Sequence, residues 1–265
     1  MPTFLSVLLR GLLAGLVAGL VAGTFAYFVG EPRIDAAIAI EEAATHGTPG
    51  VEADHHAEEL VGRDGQRAGL FLATGLFGAA MGGLLAIGYV LLRRRLHSTD
   101  DGRAALLLAG AALLGAVVVP FGKYPANPPA VGNPDTIDQR TGSYLLLVVL
   151  GLVAVWAGAL AHRSVAPHTP YALRAAAAVG GFLLVTVVAY IVLPSYPEVP
   201  DGFPATLLWE FRLASLGTQV VLWTGIGLLF AVLLGWRGRE RRRPVDGGPG
   251  QSAGTPDGAG VPAGR

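Results

Sequence analysis

The sequence predicts an all-α fold: a polytopic membrane helix bundle of about six transmembrane helices, with both termini cytoplasmic. Three observations carry this. Of the 265 residues, 52% are hydrophobic and only 14% charged, with a mean hydropathy of +0.52; a water-soluble domain of this size has no interior able to bury so much apolar surface. The charges collect in short stretches between long apolar runs, as they do in a chain threaded repeatedly through a bilayer. Arginine, finally, is lopsided among the connecting segments.

A hydrocarbon core about 30 Å thick needs roughly 20 apolar residues per helix. Segments 5–29, 68–92, 104–121, 143–161, 172–193 and 211–236 meet or approach that length, the third being the shortest. The first run is far longer than the roughly 7 to 15 residues of a signal-peptide core, so it is expected to stay in the mature protein. With the N-terminus inside, 13 of the 19 basic residues fall on cytoplasmic segments and 14 of the 19 acidic residues on outer ones, the asymmetry that insertion imposes. The expected division is a membrane domain over 1–236 with an outer loop at 30–67, and a basic, disordered cytoplasmic tail at 237–265. The location implied is a bacterial-type inner membrane.

In the first helix, Gly11, Gly15, Gly19 and Gly23 recur every four residues. Such a smooth stripe lets another helix approach closely and gain dispersion contacts that lipid does not supply. Its partner is another helix of the chain, a second copy or another subunit.

The outer loop after it is acidic and holds half of the six histidines. His46, Glu52, Asp54, His55, His56, Glu58 and Glu59 form a candidate capture set, because neutral imidazole with carboxylate oxygens suits cobalt, nickel, zinc or copper. The competing reading is a solvated acidic face. No metalloprotease spacing occurs, so no catalytic zinc site is expected. The chain has no cysteine, which excludes thiolate ligation and disulfides.

Helices two and three resemble helices four and five. Each pair begins near a Thr-Gly step, Thr74-Gly75 and Thr141-Gly142, and ends at a proline, Pro120 or Pro194, before a Tyr-Pro-x-x-Pro run. Either the chain carries parallel repeats, or prolines and aromatics simply favour helix ends at the interface. The segment from Pro120 to Pro129 is proline-rich, which predicts a rigid extended backbone with exposed carbonyls. It is a candidate constriction at the outer mouth, with Glu31, Lys123, Tyr124, Asn127 and Pro128 beside it; the alternative is a plain helix stop and connector. Lys123, the only lysine, is expected to point away or to pair with Asp135 or Asp138.

The sixth helix adds Glu210, Arg212, Ser215 and Gln219 to the candidate path. Ser215, Thr218 and Gln219 cluster towards one helix face, where they line a path or glue helices together. No phosphate-binding loop is present and no carboxylate sits mid-helix in any span, so the chain by itself shows no energy source.

These residues resemble a known family, the probable cobalt transporter subunit CbtA. The resemblance rests on the small-residue first helix, Glu31-Pro32, His55-His56, Asp64 to Arg67, Lys123 to Gly132, Arg140-Thr141 and Phe211 to Leu216, and it covers nearly all of 1–236. It implies an integral membrane subunit of a cobalt uptake system linked to cobalamin supply, working with a small single-span, histidine-bearing partner. Two departures stand out: the histidine run associated with the first outer loop is short here, and the family is usually described with five spans.

Transport of a divalent transition metal, cobalt above others, therefore ranks first. The alternative is a membrane assembly or scaffold protein that docks a partner through the glycine stripe. A membrane enzyme ranks third, since no nucleophile is paired with a base. Beyond the transported ion no tightly bound cofactor is expected, nor any nucleic-acid partner; the lipid bilayer is the expected surroundings.

Overall fold

The computed structural model describes residues 3–46, 62–95 and 100–240, and these are mostly helical with no strand among them. Six helical runs are long and apolar enough to cross a membrane: Phe4–Ala43, Gly65–Leu92, Asp101–Lys123, Pro134–Ser164, Tyr171–Val192 and Ala205–Gly235. In a bilayer every backbone N–H and C=O must be satisfied internally, and a continuous helix does this within one segment.

Helix α1 (Phe4–Phe25) starts at Thr3, whose side chain accepts from the Ser6 backbone N–H, the usual N-cap arrangement. A π-helical turn (Ala26–Gly30) then leads straight into α2 (Glu31–His46). This corrects the expected loop at 30–67: its first half continues the first helix, and its far end already belongs to α3 (Arg63–Leu92). The reason lies at Pro32, which lacks an N–H and would press its ring on the carbonyl four residues back. The wide turn takes up the misfit, Arg33 Nη1 donates to the Val29 carbonyl, and the alanine- and glutamate-rich sequence to His46 favours helix.

The third span repeats this device. Helix α4 (Asp101–Ala112), capped by the Asp100 carboxylate on the Gly102 N–H at 2.9 Å, passes through a π-helical turn (Leu113–Val118) into α5 (Val119–Lys123). Pro120 therefore does not end the helix, and Phe121, Gly122 and Lys123 are helical rather than extended. After a non-helical stretch and a 3₁₀ turn (Pro134–Thr136) come α6 (Ile137–Ser164), α7 (Tyr171–Val192) and α8 (Ala205–Glu240). Helix α8 begins six residues earlier than 211 and continues into the segment assigned to the tail. Its 36 residues span about 54 Å at 1.5 Å each, more than the apolar core of a bilayer.

Two cores organise these helices. The larger joins α1, α3, α4 and α8 around Ala14, Ala18, Ala86, Ala105, Ile226 and Phe230. The smaller joins α5, α6 and α7 through Val119, Leu147, Ala189 and Leu193. Gly11, Gly15 and Gly19 face the backbone of α3: a methyl added at Gly15 would strike the Gly78 carbonyl, and one at Gly19 the Thr74 carbonyl. The reverse face of α1 meets α8, where a methyl at Gly225 would sit 3.0 Å from Ala18 Cβ. The third span bridges the two cores, with Gly115 of its wide turn laid against Gly151 of α6.

The suggested repeat does not appear as equivalent packing. Helices α6 and α7 lie along one another, Gly181 facing the Ala157 carbonyl, whereas α3 packs chiefly on α1. Their ends differ too: α7 stops at Val192, ahead of Pro194, while the third span runs through Pro120.

Candidate functional site

Polar contacts sort to the two ends of the bundle. At one end Arg93 Nε meets Asp101 Oδ1 at 2.6 Å and the Tyr89 hydroxyl at 3.2 Å, and Arg163 donates to the Arg95 carbonyl. The opposite end gathers the acidic side chains of α2, α6 and α8. There Arg67 pairs with Glu31 (3.6 Å) and Asp35 (3.3 Å), and Arg33 pairs with Glu210 (3.5 Å). Glu31 and Glu210, both candidates for an ion path, are thus neutralised by arginines that tie α2 to α3 and α8.

Beyond Lys123 the chain turns back over the helix ends. Val131 N donates to the Pro128 carbonyl, Ala130 takes a positive φ of 65°, and Gly132 follows at φ 142°. Gly132 packs on the Arg140 guanidinium, 3.0 Å from where a Cβ would lie, so a larger residue there is excluded by both conformation and space.

Three hydrogen-bonded groups fasten this segment. Tyr124 donates its hydroxyl to the Pro194 carbonyl at 2.6 Å. Glu198, between Pro197 and Pro200, accepts from the Thr136 hydroxyl, the Asn133 backbone N–H and the Arg140 guanidinium. Together these donors hold its carboxyl below the ordinary carboxylate range, the Thr136 hydroxyl contributing most. Asn127 Oδ1 accepts from Arg212 Nη2 at 3.0 Å.

Lys123 takes neither expected carboxylate. Its ammonium donates to the Tyr190 carbonyl (2.9 Å) and to Ser195 Oγ (3.2 Å), and lies over the Tyr124 and Tyr190 rings. It is part of the clamp between α5 and the end of α7.

Under the folded-over segment is a cavity of about 430 Å³. Val117, in the π-helical turn ahead of Pro120, and Phe121, just after that proline, form one wall. Tyr124, Asn127, Ser215 and Gln219 supply polar groups, and Arg140, Thr141 and Tyr144 close the side formed by α6. Four of the residues expected at the mouth therefore meet in one place, and Arg212 stands at its rim through Asn127. Glu31, Lys123, Pro128 and Glu210 do not line it. Thr218, on the same helix as Ser215, bonds to its own Ala214 carbonyl.

No carboxylate or imidazole lines this cavity, and among the described residues no three His, Asp or Glu side chains converge as a metal site. The capture set lies outside the described residues, except that His46 is the last residue of α2. Arginine charge matters instead. Arg140 is paired with Glu198, but no carboxylate among the described residues forms an ion pair with Arg212, whose Nε is buried without a hydrogen-bond partner. At an effective dielectric of about 20, a divalent ion roughly 6 Å from an unpaired guanidinium is repelled by about 5 kcal/mol.

Sequence reasoning missed Glu198, Thr136, Ser143 and Tyr190. Tyr190 donates its hydroxyl to the Val119 carbonyl, and Ser143 shares a 3.0 Å hydrogen bond with Tyr196. The only available signal was that Glu198 is the one carboxylate inside the Tyr196 to Pro200 run; its partner Arg140 lies 58 residues away, beyond any local pattern.

Six membrane-length helices, three of which line a cavity at one end, define a multi-pass membrane protein. The chain belongs to the family described as probable cobalt transporter subunit (CbtA), whose model matches residues 4–235. The match takes in both cores and every residue named in the cavity. No curated protein and no solved structure matches the chain.

Proposed function

We propose that this chain is the multi-pass subunit of a cobalt uptake system, taking the ion at its acidic end and passing it through the bundle to the arginine-rich end. The observation that supports this most, beside the family, is the sorting of charge along six membrane-length helices, carboxylates gathering at one end and arginines at the other. In this reading the acidic end faces outward, both termini are cytoplasmic, the membrane is the inner one, and the role is not enzymatic. The word "subunit" in the family description implies a partner; a small single-span protein carrying histidines is the partner proposed. The glycine stripe of α1 is covered by α3, so docking a partner through it is not proposed.

Capture is assigned to His46, His55 and His56 with Glu52, Asp54, Glu58 and Glu59, which concentrate the ion ahead of the cavity. Imidazole binds metal only when neutral, with an ordinary pKa of about 6.5. Replacing the three histidines by alanine is therefore expected to raise the cobalt concentration for half-maximal uptake while leaving the saturated rate nearly unchanged. Wild-type affinity is also expected to fall more steeply than the mutant's between roughly pH 7 and 5.5. The deciding experiment is uptake of cobalt, nickel and zinc into proteoliposomes, with this chain alone and with its partner; absence of flux in both preparations rejects the transport reading. Sidedness is checked separately. An impermeant thiol reagent is expected to label D201C, exposed at the acidic end, on intact spheroplasts, and labelling only after lysis reverses the orientation.

A further inference from the structure

Arg212, bonded to the cavity-lining Asn127, is the one arginine among the described residues at the acidic end that no carboxylate pairs with. Among the described residues there, Arg33, Arg67 and Arg140 each pair with a carboxylate. Among the described residues Arg212 has only the neutral Asn127 amide oxygen as a partner, with its Nε sealed from solvent. An arginine inside a membrane span is costly unless its charge is answered, and such residues mark ligand sites. Lys123, the other cation there without a carboxylate, is turned away to the Tyr190 carbonyl and Ser195.

What surrounds the cavity has the same bias. Ser215 and Gln219 lie about one and two turns beyond Arg212 on α8 and so continue its face, and both line the cavity, as do Thr141 and Tyr144. Each carries an O–H or N–H donor. There is no carboxylate to compete with an anion and none to hold a bare cation. A guanidinium is the side chain best shaped to take a carboxylate through two parallel hydrogen bonds.

We infer that the cavity is a site for a small carboxylate, bound by Arg212 with the hydroxyl and amide groups of Ser215, Gln219 and Thr141, and that Asn127 holds the guanidinium while the site is vacant. This deepens the uptake reading and rests on it for its purpose. A divalent ion that enters the cavity then does so beside a bound carboxylate, whose charge offsets the arginine. Carboxylate binding itself needs no metal and is measured without it.

The test is equilibrium dialysis of radiolabelled citrate, in the absence of metal, against the purified full chain in lipid nanodiscs. Wild type is expected to bind citrate saturably. R212Q, which keeps an amide beside Asn127 but removes the charge, is expected to bind at least tenfold more weakly, and R212K to stay within a few-fold of wild type. S215L keeps the charge and fills the cavity, so it too is expected to lose binding, and it decides the matter should R212Q fail to fold. No saturable binding by wild type overturns the inference. Equal binding by wild type and R212Q does so as well, because it places citrate on another cation, Arg140 or the arginines of the opposite end. Binding retained in S215L overturns the assignment to the cavity. Cobalt flux into proteoliposomes is scored separately, so absence of flux with citrate binding intact rejects the uptake reading alone.

Discussion

The α1, α3, α8 core and the α6, α7 hairpin are both membrane helix packings, yet they are held by different means. In the first, backbones touch: Gly11, Gly15 and Gly19 bring α1 against α3 so closely that a single methyl has nowhere to go. In the second, only 6% of the residues in the most apolar stretch of α7 are buried, against 33% in that of the first span, and Leu183, Leu184, Val187 and Ile191 are exposed on its outer face. The hairpin's backbones approach at Gly158 and Gly181, and it is fastened further at its acidic end by Tyr124, Tyr190, Tyr196 and the Glu198 cluster. Lipid tails offer no hydrophobic drive between helices. A pair must therefore gain its stability from close backbone approach or from polar bonds; α1 and α3 rely on the first along a run of glycines, and the hairpin, close only at Gly158 and Gly181, adds the second at its end. The cavity lies at the seam, walled by the third span that belongs to both.

The largest expected effect separates the two halves directly. G15L forces a side chain onto the Gly78 carbonyl, overpacking that costs on the order of 3 kcal/mol or prevents folding. G180L, on α7 with nothing within 4 Å, is expected to leave thermal melting in detergent unchanged. Equal melting of both variants removes the distinction.

E198Q is expected to come next. It withdraws the negative charge that Arg140 faces and weakens bonds to Thr136 and Asn133. Hydrogen exchange over 124–140 is expected to rise while exchange in α1 and α3 stays as in wild type; a uniform rise would mean the two halves do not act separately.

Acid should reproduce that loss in wild type alone. Because the folded-state pKa of Glu198 lies below its ordinary value of 4.5, its stabilisation is present above about 4.5 and disappears as pH falls through the lower folded value. The difference in melting temperature between wild type and E198Q is expected to be constant from pH 7 to about 5 and to shrink below that. A difference that persists undiminished to pH 3 rules out the carboxylate as its source.

The smallest effect is K123M, which removes hydrogen bonds to the Tyr190 carbonyl and Ser195 Oγ while keeping the apolar stem. About 1 kcal/mol is expected, seen as a modest fall in melting temperature with cobalt uptake retained. Abolished uptake with unchanged melting would place Lys123 in the path instead of the clamp.

Much of this architecture is readable without coordinates, because hydropathy and arginine placement are local sums. Six apolar runs, Ser215 and Gln219 on a shared helix face, and a glycine stripe demanding a close neighbour all follow from residue type and spacing. Helix continuation past Pro32 and Pro120 does not, since proline's ordinary effect is to stop a helix and only the widened turn before each one absorbs the clash. Nor does the stripe name its partner: any small-residue surface fits it, and contact with α3 was decided by how the remaining helices fill the space around α1. Pairings such as Glu198 with Arg140 and Asn127 with Arg212 span 58 and 85 residues. Their energies depend on distance and desolvation, which only the folded chain sets, and so the charge beside the cavity, carried by Arg212 with no carboxylate partner among the described residues, belongs to the tertiary structure and not to the motif that contains it.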